Sequence, residues 1–131
     1  MDGLIDDADI SEEQATQRLA NAVDTSQTIR EGEGTGTVYA YSYACTPDRL
    51  KVGMTDGDAV QRIAAQIGTS TPDRPLLLLE IKTNTCRALE RAIHGVLETR
   101  TQKIIGGGAE WFKTNRDEVL AIYKFILQRL A

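Results

Sequence analysis

Residues 37–55 read T-V-Y-A-Y-S-Y-A-C-T-P-D-R-L-K-V-G-M-T. Successive side chains of an extended strand point to opposite faces. Val38, Ala40 and Ser42 therefore share one face, and Tyr39, Tyr41 and Tyr43 share the other. Pro47 and Asp48 supply turn chemistry, and Leu50, Val52 and Met54 alternate on the way back. The pattern predicts a β-hairpin with an aliphatic face and an aromatic one. Gly53 interrupts the second strand, where glycine weakens pairing and marks a close approach by another backbone or a ligand.

Downstream, Asp56-Gly57-Asp58 turns the chain, and Asp56 or Asp58 suits the N-cap of a short helix over 59–67. Val60, Ile63, Ala64 and Ile67 form its apolar stripe, Arg62 borders that stripe, and Gly68 suits the C′ position. The run L-L-L-L-E-I within 76–83 has the apolar character of a central strand. Asn84 or Thr85 is expected to cap a longer helix from Cys86 to about Thr99, buried through Leu89, Ile93, Val96 and Leu97. Glu90 and His94 stand four residues apart on it and share a face. Gly106 to Gly108 breaks the chain before Trp111 and Phe112, both expected in the core. Asn115 with Glu118 forms a capping box for the last helix. Upstream, Ser11 with Gln14 suggests a helix from about Glu12 with a narrow stripe of Ala15, Leu19, Ala22 and Val23, and G-E-G-T-G over 32–36 reads as a flexible joint.

These pieces predict a small α/β (α+β) fold: a three-stranded antiparallel sheet flanked by helices, preceded by an N-terminal helical arm. The division is an acidic arm over 1–34 and a body over 35–131. A chain of 131 residues, 41% hydrophobic and 26% charged, suits one globular domain. No apolar run approaches a membrane span of ~18 residues, and the first residues have no secretory pattern. Cys45 and Cys86 lack ligand-like spacing, which fits thiols in a reducing cytoplasm. The net charge of −4 is unevenly placed: residues 1–36 carry nine acids and two bases, residues 37–131 ten acids and thirteen bases. The body is mildly basic and can meet a phosphate backbone through a local patch. The acidic arm reads as a solubilising extension or as a lid over a basic groove.

In order along the chain, T-V-Y ending at Tyr39, K-V-G from Lys51 to Gly53, Arg62 in Q-R-I-A-A-Q, Glu90 in A-L-E-R-A-I-H, and G-A-E-W-F over 108–112 resemble the signature of the GIY-YIG endonuclease superfamily, in its phage open-reading-frame branch. The resemblance covers about 35–127. It implies a metal-dependent endonuclease cutting DNA phosphodiesters, with Tyr39, Arg62 and Glu90 as catalytic core and a divalent metal, Mg²⁺ or Mn²⁺, on Glu90. Lys51 stands where the second motif usually has tyrosine. It is expected to lower the Tyr39 pKa or to contact the phosphate.

The residue chemistry agrees in kind. A carboxylate suits a hard cation, a guanidinium forks onto phosphate, and a phenol can orient water if nearby cations lower its pKa. His94 is a further candidate acid or phosphate contact, with a core histidine as the alternative. Tyr41, Tyr43, Arg87 and Arg91 are the candidate nucleic-acid contacts. Asn115 reads as a helix cap first and a catalytic asparagine second. Tyr39, Lys51, Arg62 and Glu90 are expected on one concave face. The alternative function is a catalytically inactive nucleic-acid-binding or interaction module of the same fold; a regulatory partner whose acidic arm mimics DNA is a third. With no appended specificity module, a cutting enzyme here has little sequence preference, works as a homodimer, or depends on a protein partner. No membrane partner is expected.

Overall fold

The computed structural model describes residues 12–67, 73–105 and 111–130. Ser11, Gly68 and the glycines 106–108, which carry three of the expectations above, lie outside the described residues. In chain order the elements are α1 (Glu12–Ala22), β1 (Ile29–Gly32), β2 (Gly36–Tyr43), β3 (Leu50–Thr55), α2 (Ala59–Ile67), β4 (Pro75–Thr83), α3 (Cys86–Thr99), β5 (Trp111–Phe112) and α4 (Arg116–Leu130).

The hairpin forms as its alternation predicts: β2 and β3 are antiparallel, with Tyr39 opposite Gly53 and Tyr41 opposite Lys51. β4 pairs antiparallel with the other side of β2. The expected three-stranded antiparallel unit is thus present, but it is the middle of a five-stranded sheet ordered β1-β4-β2-β3-β5. β1 adds parallel to β4, which makes the sheet mixed. β5 adds two residues to the outer side of β3. Both extra strands carry weak sequence signals. Ile-Arg-Glu-Gly at a half-exposed edge has little apolar content to show, and a two-residue strand has no period.

The sheet lies between two helical layers. On one face Val38, Ala40, Val52, Leu79 and Ile81 pack under α3 and α4 through Leu89, Ile93, Leu97, Val119 and Ile122. On the other face Tyr39, Tyr41 and Leu77 pack with Ala59 and Ile63 of α2 and with Val23 just past α1. Burying apolar groups on both faces explains the unbroken leucines of β4.

The stretch expected to be an arm is stitched to the body. α1 packs on α2, Asp24 N–H donates to the Pro75 carbonyl at 2.9 Å, and Leu77 N–H donates to the Asp24 carbonyl at 3.0 Å. Arg30 Nε meets Glu80 Oε2 at 2.8 Å. The glycine-rich connection runs close against the end of β4. Gly32 has φ 76°, and a Cβ there would lie 2.4 Å from the Lys82 carbonyl oxygen. Among the caps, Asp58 Oδ1 accepts from Gln61 N–H at 3.2 Å and Asn115 Oδ1 from Glu118 N–H at 2.8 Å. Thr85 makes no side-chain cap for α3. Asn84 instead accepts from Thr35 N–H at 3.0 Å, tying the turn before β2 to the end of β4.

Candidate functional site

Tyr39 and Gly53 form one packing unit. The Tyr39 ring is 1% exposed and lies across its cross-strand glycine, where a Cβ would stand 2.6 Å from the hydroxyl oxygen. The close approach that Gly53 signals is therefore by a side chain. The Tyr39 hydroxyl donates to Gln66 Oε1 at 3.1 Å. Gln66 stands one turn after Arg62 on α2, so the same helix face carries the candidate phosphate ligand and the residue that holds the candidate base. Gln66 was not singled out from sequence, although its i+4 relation to Arg62 was there to be read. Arg62 is exposed, and its backbone N–H bonds the Asp58 carbonyl at 3.0 Å in the first turn after β3. Lys51 is half-buried on the same sheet face, between Tyr41 on β2 and Trp111 on β5.

Glu90 and His94 belong to the opposite layer. β5 covers β3 only at Leu50 and Lys51, and α3 runs beside the remainder. Cys86 Sγ lies 3.7 Å from Met54 Sδ and 3.6 Å from Asp56 Oδ1. His94 Nε2 lies 2.7 Å from the Val52 carbonyl oxygen. Glu90 is one turn from each, half-buried, with exposed Arg87 and Arg91 beside it on the helix. A backbone carbonyl only accepts, so His94 Nε2 donates in this contact. The His94 ring also rests on Phe112, with centroids 4.9 Å apart.

This arrangement corrects the expected geometry. Tyr39, Lys51 and Arg62 lie with the α2 layer, while Glu90 and His94 ride on α3 behind the sheet. The two sets are thus carried by the two helical layers, both of which touch β3. The reason is the alternation of β2, which sends Tyr39 away from the aliphatic face that α3 covers. Tyr41 is also placed differently from a nucleic-acid contact. It is 2% exposed and packed between Tyr39, Tyr43 and Trp111 at centroid distances of 6.2, 6.0 and 5.7 Å. Phe112 is buried as expected, whereas Trp111 is only half-buried. Asn115 acts as the cap of α4.

Among the described residues, no group of three or more His, Cys, Asp and Glu gathers that could hold a metal ion. A cleft of about 420 Å³ between α3, α4 and the ends of β1 and β4 is lined by Lys82, Leu89, Ala92, Tyr123 and Ile126, and by none of the candidate site residues. No helix of the described residues is long and apolar enough to cross a membrane.

A family model, the T5orf172 domain, matches residues 36–127. The chain belongs to the T5orf172 family. T5orf172 is a phage-associated domain related to nuclease-like folds, compatible with a nuclease or DNA-binding module. The T5orf172 match begins at β2 and ends within α4, so α1 and β1 lie outside it. No curated protein and no solved structure matches the chain significantly.

Proposed function

We propose that the protein is a GIY-YIG-type, metal-dependent endonuclease that hydrolyses DNA phosphodiester bonds at the uncovered end of β3. The observation that carries the reading is the packing of three separately coded elements on β3. These are the Tyr39–Gly53 unit of the hairpin, the first turn of α2 with Arg62, and the turn of α3 that carries Glu90. Arg62 binds the phosphate as a fork and offsets charge that builds in the transition state. The Lys51 ammonium adds positive charge on the same face. Tyr39 orients the attacking water through its hydroxyl once Gln66 releases it. His94 acts as a positioning residue: its bond to the Val52 carbonyl fixes the peptide that precedes Gly53.

Glu90 is the residue that would hold a metal. A half-buried carboxylate outside any metal-holding cluster of the described residues fits Mg²⁺ or Mn²⁺, which retain water and take substrate oxygens as ligands, better than a protein-enclosed zinc or calcium site. Such an ion supplies positive charge to the phosphoryl oxygens and a more acidic water. Arg87 and Arg91 beside Glu90 offer cations to the flanking backbone phosphates.

The second reading is a DNA-binding module without activity. It is favoured by the burial of Tyr39, the separation of Tyr39 and Glu90 into two layers, and lysine in place of the second tyrosine. Plasmid nicking and DNA binding, measured on the parent and two variants, separate the readings. The nuclease reading expects Tyr39→Phe to lose nicking while keeping binding and melting temperature, and Arg62→Ala to lose nicking and part of the binding. A parent that binds DNA but never nicks it, with Mg²⁺ or Mn²⁺, establishes the second reading.

A further inference from the structure

The aromatic face of the hairpin does not end under α2. Beyond the buried Tyr39 and Tyr41 it emerges as Tyr43 and Trp111, both half-buried, with ring centroids 5.9 Å apart and planes at 21°. These two rings line a cleft of about 190 Å³ with Thr46, Arg49 and Ile104. Its volume is below the ~300 Å³ at which pockets for whole small molecules begin, and suits a single planar ring. Cations flank it. The Arg49 side chain is 44% exposed and only loosely paired, at 3.6 Å, with Asp48. Lys51 is the direct cross-strand neighbour of Trp111. Open aromatic rings beside a guanidinium and an ammonium are the combination that holds a base by stacking and its phosphate by charge.

The position connects this cleft to the proposed active site. Tyr43 lies four residues beyond Tyr39 on β2, about 13 Å along the strand. That distance corresponds to about four steps of a stacked DNA strand at ~3.4 Å each, and fewer if the strand is stretched.

We propose that the Tyr43–Trp111–Arg49 cleft captures one unstacked base of the DNA strand that passes the end of β3, so that the substrate is DNA unpaired within a few nucleotides of the cut. The inference rests on the nuclease reading for the word substrate, but its binding component does not. A base inside a continuous duplex remains in its stack and has to be extruded at a cost before it can enter such a cleft. A single-stranded segment presents the same base without that cost.

Trp111 is the only tryptophan of the chain, so its emission reports on the cleft directly. The experiment titrates the full chain with a single-stranded oligonucleotide, with the fully paired duplex of the same sequence, and with single strands carrying one abasic position moved stepwise along them. The single strand should quench Trp111, the duplex should not, and one abasic position should remove the quenching. Binding of the single strand, read by anisotropy of a labelled oligonucleotide, should weaken about tenfold in Trp111→Ala and be largely restored in Trp111→Phe. Arg49→Ala, at the exposed rim, should weaken it severalfold without changing the melting temperature, which keeps the test valid if Trp111→Ala loosens β5. Equal quenching by duplex and single strand, quenching indifferent to every abasic position, or unchanged binding in both Trp111→Ala and Arg49→Ala would overturn the proposal and leave Trp111 as an anchor for β5. Quenching without nicking removes the nuclease reading and keeps the cleft; nicking without a Trp111 response does the reverse.

Discussion

Gly53 is needed because of a ring, and the consequence can be measured. A methyl group at this position would enter the space of the buried Tyr39. Overpacking of that kind costs about 1–3 kcal/mol, more than the 0.5–1 kcal/mol or so that replacing a strand glycine otherwise gains. Gly53→Ala should therefore destabilise the protein by up to about 2 kcal/mol, but cost nothing in a Tyr39→Ala background, where the space is vacant. Denaturant unfolding of the four proteins in this cycle decides it, and an equal cost in both backgrounds would mean that the ring is not the cause. Glu118 offers a second test. Burial pushes its carboxyl upward, but hydrogen bonds from Thr114 and Gln102 and the Arg100 guanidinium outweigh this and hold it below the usual carboxylate value. A lowered folded value contributes stability above the unfolded pKa of ~4.3, and that stability is lost as pH falls through the folded value. Glu118→Gln should lower the melting temperature by a few degrees at pH 7, and the gap to the parent should close below about pH 4. A gap that stays constant with pH would assign the loss to packing. Asn115 and Glu118 were legible as a box, yet only the asparagine half forms. The partners that draw Glu118 away, Gln102 and Arg100, come from another segment that local spacing cannot reveal.

The elements that read clearly are those whose period and burial agree. The bounds of α2 and α3 follow directly from their stripes, and the hairpin follows from its alternation. β1 does not, because a half-exposed edge strand leaves little trace in composition. The structure reverses one expectation: a segment that reads as a dispensable acidic arm supplies a strand to β4, a buried Val23 to the α2 layer, and Arg30 to the nearly buried Glu80. Deleting residues 1–34 would leave that carboxylate without its cation and the β4 edge unpaired; the Arg30 side of the pair is open to water, so the lost strand pairing and packing outweigh the lost ion pair. The truncated chain should melt at least 10 °C lower or fail to fold. The full chain carrying Arg30→Met should lie between the two. A truncated chain with an unchanged melting curve would restore the arm as an independent extension.

At the scale of the molecule, five strands separate two helical layers, and the residues that match a nuclease signature come from both. The separate motifs were legible because each occupies a regular element at a fixed place in the chain. The way both layers reach β3 was not, since it depends on how far β5 covers its neighbour and on His94 reaching the Val52 carbonyl. The account requires that an edge assembled in this way performs chemistry. The most direct measurement is the nicking of supercoiled plasmid by the parent and by Glu90→Gln, with Mg²⁺ and with Mn²⁺, alongside binding and melting curves. Glutamine retains the shape and one acceptor oxygen but lacks the charge that a hard cation requires. The parent should nick only with metal, and Glu90→Gln should abolish nicking with DNA binding and melting temperature nearly unchanged. A parent that never nicks with either metal, or nicking that persists undiminished in Glu90→Gln, would contradict the account.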